Sequence, residues 1–248
     1  MKFLLRSTVF TIITCVCQIF YQAQASVVVS GTRVIFPGQD REVTVRLTNN
    51  GLAPALVQAW LDDGSANITP DKMEVPFTVA PAIFRLDTNK GQALRLIYTQ
   101  EPLAQDKESL YWLNILEVPP KSPEGMESNN KLQLAFRTRI KVIYRPKGLL
   151  GSVKESPGKV QWSAVRASSG EGYVLRAFNP TPYFVNLGKV TLKIGKKEVY
   201  AGADFVKPGE TQDFLLDGVS VLPDISSVVS FVAINDFGAG VVLTKKLE

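Results

Sequence analysis

The chain has 248 residues, 45% of them apolar and 21% charged, a balance that suits an ordinary folded protein and excludes disorder, collagen and a multi-span membrane protein. At roughly 100 to 200 residues per domain, this length gives one large domain or two modest ones. The sequence contains no histidine, so His-dependent catalytic triads and His-ligated zinc or copper sites are excluded.

Lys2 and Arg6 precede an apolar run from Val9 to Phe20, and Ala23-Gln24-Ala25 then supplies the small-residue pattern of a signal-peptidase site. We read residues 1–25 as a signal peptide cleaved after Ala25. A membrane anchor would need about 20 predominantly apolar residues, and Thr11, Thr14 and Gln18 interrupt this run. Cys15 and Cys17 both fall in the leader, so the mature chain would carry no disulfide. It would retain 26 basic against 23 acidic residues, too mild an excess to argue for nucleic acid.

After the leader, period-2 alternation replaces helical periodicity, with Gly, Pro, Asn and Asp clusters as punctuation. Val27–Phe36 reads as a first strand. Val43–Leu47 runs into the turn Asn49-Asn50-Gly51, and Ala55–Leu61 into Asp62-Asp63-Gly64. Phe84–Leu86, Ala93–Tyr98, Leu110–Val118 and Leu132–Tyr144 follow, giving about seven strands, the number expected of an immunoglobulin-like sandwich of ~100 residues. A second set starts near Val160 and includes Tyr173–Phe178, Val190–Ile194, Asp213–Leu216, Val228–Ile234 and Val241–Thr244. The expected fold is therefore all-β, two immunoglobulin-like sandwiches over 26–146 and 147–248, divided at Pro146-Lys147-Gly148 because proline cannot donate to a ladder. Lys121–Lys131 is a polar, turn-rich loop between the last two strands of the first domain.

No catalytic, cofactor or metal motif emerges. Gly170-Glu171-Gly172 and Gly238-Ala239-Gly240 lack the third glycine of a dinucleotide loop and a following helix, and read as turns. Asp62-Asp63 before Gly64 reads as turn chemistry, and Asn67-Ile68-Thr69 is a formal glycosylation sequon of no weight. The segment Leu132–Arg145 stands out, at more than twice the typical strand length of ~5 to 6 residues. Alternation turns Leu132, Leu134, Phe136, Ile140 and Val142 one way and Gln133, Arg137, Arg139 and Lys141 the other. It is either a long core strand with a solvated basic face, or an edge whose first half overhangs its own core as a template for another chain's strand.

Leu103 to Pro120, with Leu110-Tyr111-Trp112-Leu113-Asn114-Ile115-Leu116-Glu117-Val118-Pro119-Pro120 at its heart, closely resembles the signature of the PapD-like periplasmic chaperones of fimbrial assembly. Thr32-Arg33-Val34-Ile35-Phe36, Arg139 to Pro146, Asn179-Pro180-Thr181-Pro182-Tyr183 and Ile234-Asn235-Asp236 match the family in order across both domains.

The resemblance implies a boomerang of two sandwiches that binds pilus subunits, caps their assembly surface and delivers them to an outer-membrane usher. It implies Arg33 and Lys141 as cationic anchors for the C-terminal carboxylate of a pilus subunit, and Leu132, Leu134 and Phe136 as the strand donated to the incomplete subunit. It also implies an interdomain ionic cluster of Glu108, Arg145 and Asp236. The short Lys121–Lys131 loop points to the subfamily serving rod-like pili. Expected partners are pilus subunits, an usher and, when subunit-free, a second copy; no cofactor, metal, nucleic acid or membrane insertion is expected after leader cleavage. The competing reading is a secreted two-domain immunoglobulin-like adhesin or pilus structural subunit, with an enzyme a distant third.

Overall fold

The computed structural model describes residues 26–65, 73–120, 134–168 and 172–248; the leader reading, Leu132, Gly170, Glu171 and the 121–131 loop lie outside them. The first domain is built from β1 (Val27–Val29), β2 (Arg33–Pro37), β3 (Glu42–Asn49), β4 (Ala55–Asp62), β5 (Phe77–Ala80), β6 (Ile83–Leu86), β7 (Gly91–Tyr98), β8 (Ser109–Val118) and β9 (Phe136–Arg145). They form a four-stranded sheet, β1-β3-β7-β5, facing a five-stranded sheet, β2-β9-β8-β4-β6. Alternation along β3 and β7 buries Val45, Leu47, Leu94 and Leu96, which meet Val57, Leu113, Ile115 and Val142 from the other sheet. Phe36 is fully buried at one end of this core, in an aromatic cluster with Phe77, Tyr98 and Tyr144.

The second domain comprises β10 (Gln161–Arg166), β11 (Tyr173–Phe178), β12 (Val185–Ile194), β13 (Lys197–Val206), β14 (Thr211–Leu216), β15 (Val228–Ile234) and β16 (Gly240–Lys246). Its sheets are β10-β11-β14 and β13-β12-β15-β16, packed around Trp162, Leu175, Leu192 and Phe231. A 3-10 turn, Ser156–Lys159, precedes β10.

The strand expected over Val27–Phe36 is in fact two strands in different sheets. β1 pairs antiparallel with β3, whereas β2 pairs parallel with β9, Arg33 opposite Lys141 and Pro37 opposite Arg145. The chain changes sheet at Ser30-Gly31-Thr32, where Gly31 has φ of 106°, a conformation side-chain-bearing residues rarely adopt. Gly31→Ala should therefore lower the stability of the first domain by about 1 to 3 kcal/mol, to be read from the urea unfolding midpoint.

Candidate functional site: the cleft between the sandwiches

The parallel pairing of β2 with β9 sets Arg33 beside Lys141 on the first domain's outer face. The second domain meets them there with Asn186 from β12, Phe205 from β13 and Ile234 from β15. Lys141 Nζ donates to Asn186 Oδ1 at 2.7 Å and lies 4.2 Å from the centre of the Phe205 ring. Arg33 Nη1 donates to the Ile234 carbonyl at 3.4 Å, while its buried Nε has no partner among the described residues. Together with Trp112 these side chains line a cleft of about 340 Å³.

The electrostatics of this cleft favour an incoming anion. Burial and then the neighbouring Arg33 charge push Lys141 down to about 8, against a weaker pull from Asp204. Burial likewise lowers Arg33, partly offset by Asp236. Two like charges held together in a half-desolvated cleft each gain from a carboxylate placed between them.

The three acidic and basic residues expected at the domain junction also meet. Arg145, at the end of β9, donates Nη1 and Nη2 to the two Asp236 oxygens at 2.7 and 3.0 Å, a bidentate fork. Its Nε bonds Glu108, whose other oxygen accepts the Phe184 N–H at 2.6 Å. The Arg145–Glu108 pair thus ties the first domain to two segments of the second, Arg145 through Asp236 and Glu108 through Phe184. Burial works against the Arg145 charge, but the bonds to Asp236 and Glu108 outweigh it and hold its pKa above the ordinary value. Glu108 is almost wholly enclosed, and burial raises its carboxyl despite Arg145 and the Phe184 N–H.

Of the expected donor residues, Leu134 and Phe136 are 50% and 52% exposed, although Ile140 and Val142 on the same face are buried. The apolar column therefore runs out of the core. β2 covers β9 only from Lys141 onward; among the described residues, Phe136–Ile140 pair with β8 alone, so their other edge is open.

The opposite face of β9 holds a cluster that sequence reasoning missed. Arg137 stacks over Trp60 at 4.9 Å and Arg139 over Trp112 at 4.5 Å. Asp62, fully buried, receives bonds from Arg139 and from Asn114 Nδ2, the latter at 2.6 Å, and Arg137 Nη2 donates to Asn114 Oδ1 at 2.6 Å. Burial tends to raise the Asp62 carboxyl, but Arg139, Asn114 and the Gly64 N–H together hold it below the usual range. The Gly64 bond, 2.7 Å, is the expected turn chemistry; the ion pair is additional, and only the register of β4, β8 and β9 could have revealed it. Among the described residues no group of three or more Asp, Glu, His or Cys side chains is gathered to hold a metal.

Residues 26–150 match the family described as "Pili and flagellar-assembly chaperone, PapD N-terminal domain", and residues 155–245 match "Pili assembly chaperone PapD, C-terminal domain". The chain belongs to the PapD family of pilus-assembly chaperones. The probable fimbrial chaperone YadV of Escherichia coli K12 is 42% identical over 220 residues, 88% of each chain. The CupB2 chaperone structure of Pseudomonas aeruginosa is 37% identical and superposes with a TM-score of 0.74 over 89% of this chain and all of that one. The SafB chaperone of Salmonella enterica, solved in complex with the SafA pilin, is 27% identical with a TM-score of 0.73 over 92% of this chain and 99% of that one.

Asp236→Ala would leave part of the Arg145 fork unpaired at the junction. Loss of one partner of a buried pair typically costs about 3 to 5 kcal/mol, and Asp236 is partly exposed, so the lower end is expected. The interdomain arrangement should loosen while each sandwich keeps its circular dichroism, an outcome that small-angle scattering would register as a larger radius of gyration.

Proposed function

We propose that this chaperone works in the periplasm after leader cleavage, with domains 26–146 and 147–248, and that it holds pilus subunits by adding part of β9 to their incomplete sheets. The observation that carries the reading is the register of β2 and β9. Because β2 runs parallel to β9 and starts at Arg33 opposite Lys141, a guest strand lying along the open edge of Phe136–Ile140 in line with β2 would end at those two cations. Its C-terminal carboxylate would be paired by a guanidinium fork and an ammonium. Its backbone would bond β9, and Leu134 and Phe136 would enter the guest's groove. Leu132, expected to precede them, lies outside the described residues. On this reading the captured subunits are delivered to an outer-membrane usher, as the family resemblance implies. A pilus-subunit or adhesin role is less well supported, since YadV and its like are chaperones and the match spans both domains.

Arg33→Ala or Lys141→Ala should abolish recovery of pilus subunits in periplasmic co-purification while leaving the fold native, because each removes a charge-assisted bond worth about 1.5 to 3 kcal/mol. Binding should also respond to pH. A captured carboxylate raises the Lys141 pKa above its free value of about 8, so binding takes up a proton and weakens as pH rises from neutrality through that value. Calorimetry with a peptide carrying the last residues of a pilin should show this decline, and Lys141→Met should be weak and lack it.

Leu134→Glu should abolish capture yet barely lower the melting temperature of the free chaperone. The subunit-free protein is expected to mask the open edge by self-association, and the same substitution should shift it towards monomer in sedimentation. Loss of several kcal/mol of first-domain stability would instead make Leu134 an ordinary core residue.

A further inference from the structure

The inner face of β8 carries Tyr111, Leu113 and Ile115 into the core and then ends on a carboxylate. Glu117 is 8% exposed, its cross-strand neighbours are Val57 and Phe136, and among the described residues it belongs to no ion pair. A buried carboxylate without a cation is costly. Its oxygens are bonded by the residues that begin β1: Ser26 Oγ donates to Oε1, and the Val27 N–H to Oε2 at 3.1 Å.

Ser26 is itself seated from the other side. Its carbonyl accepts the Asn50 N–H at 2.7 Å, and the Gly51 backbone lies so close that a Cβ there would stand 2.3 Å from Ser26 Cβ. The turn Asn49-Asn50-Gly51 thus presses Ser26 towards Glu117, and the family match starts at this same residue.

We propose that Glu117 is the binding site for the α-ammonium group that leader removal creates at Ser26. Hydrolysis of the Ala25–Ser26 bond by a signal peptidase consumes one water and leaves a carboxylate on Ala25 and an amine on Ser26, protonated below its pKa. That nitrogen is three bonds from the hydroxyl already touching Glu117, so the cation forms beside the carboxylate that lacks one. In the unprocessed chain the same nitrogen is a neutral amide. Processing therefore completes the packing of β1 against the end of β8, directly opposite Phe136, and firms the base from which the donor segment projects. The inference rests on the cleavage position and is independent of how guests are held.

Among the described residues, the strand neighbours of the seat, Val27 on β1 with Asn49 on β3, Val57 on β4 and Phe136 on β9, carry no titratable side chain, and Arg137 is turned to Asn114 and Trp60 on the other face of the sheet. The Ser26 amine should therefore titrate at least one unit above its ordinary value of about 8, with Glu117 as the cause. A raised folded-state pKa gives stability that is fully present below the unfolded value and is lost as pH rises through the folded one.

The test uses the exported, processed protein. N-terminal sequencing should give Ser26 first, and any other first residue overturns the proposal. The rate of acylation of the amine against pH should give the raised pKa, and Glu117→Gln should return it to about 8; the same pKa in both proteins overturns the proposal. Because Glu117→Gln also alters a core position, a second chain keeps Glu117 but begins at Ala25, moving the ammonium off the seat. It should unfold at lower urea than the chain beginning at Ser26 at pH 7, with the difference vanishing at pH 10. An unchanged midpoint at pH 7 would be decisive against the proposal.

Discussion

β2 covers five residues of β9, and because the pairing is parallel its first residue marks where the open part of β9 ends. The site depends on this constraint. Had the first strand continued along the β3 sheet, as an unbroken Val27–Phe36 would, Arg33 would lie on the opposite sheet, away from Lys141. The switch at Gly31 brings one cation to the other, and it also stops β2 from covering Phe136–Ile140. The paired cations and the open edge are two results of one change of sheet.

The second domain completes the site without blocking it. Asn186, Phe205 and Ile234 reach Arg33 and Lys141, and their positions rest on the Arg145 fork to Asp236 and on Glu108 bonded to Phe184. An apolar junction of similar size could hold two sandwiches together as strongly, since buried ion pairs add little net stability. A guanidinium fork, however, accepts its carboxylate in few orientations, so it constrains the angle between domains, and the width of the cleft follows from that angle.

The sequence made the strands legible wherever alternation was uninterrupted: Tyr173–Phe178 and Val228–Ile234 have the bounds that the pattern suggested. It failed where local punctuation is overridden by partners. β5 is four residues between Pro76 and Pro81, outside the expected strands, yet it pairs with β7 and buries Phe77 and Val79. β13 contains Gly202 and scattered charges, and β12 is broken in register beside Gly188, so neither shows clean alternation. Asp62 was legible as a turn residue but not as the buried partner of Arg139, because that contact depends on three strands far apart in the chain. Arg33, Lys141, Glu108, Arg145 and Asp236 were singled out through family resemblance; spacing alone would have left each an ordinary surface charge.

What distinguishes the cleft is where local rules are violated together. Strand edges in stable sheets are paired or charged, large apolar side chains are buried, and like charges are kept apart. Around β9 the structure has an open edge, two half-exposed apolar side chains ending a core column, and two adjacent cations whose pKa values are both depressed by burial. Each defect is unfavourable in the free protein, and all three persist among its described residues. On the proposed reading one ligand would remove them: an extended apolar segment would supply backbone to the edge and a groove to the side chains, and its terminal carboxylate, ending at Arg33 and Lys141, would relieve the cations. Locally inconsistent positions concentrate at functional sites, and on the proposed reading the three defects would answer to the guest's backbone, its side chains and its charged end.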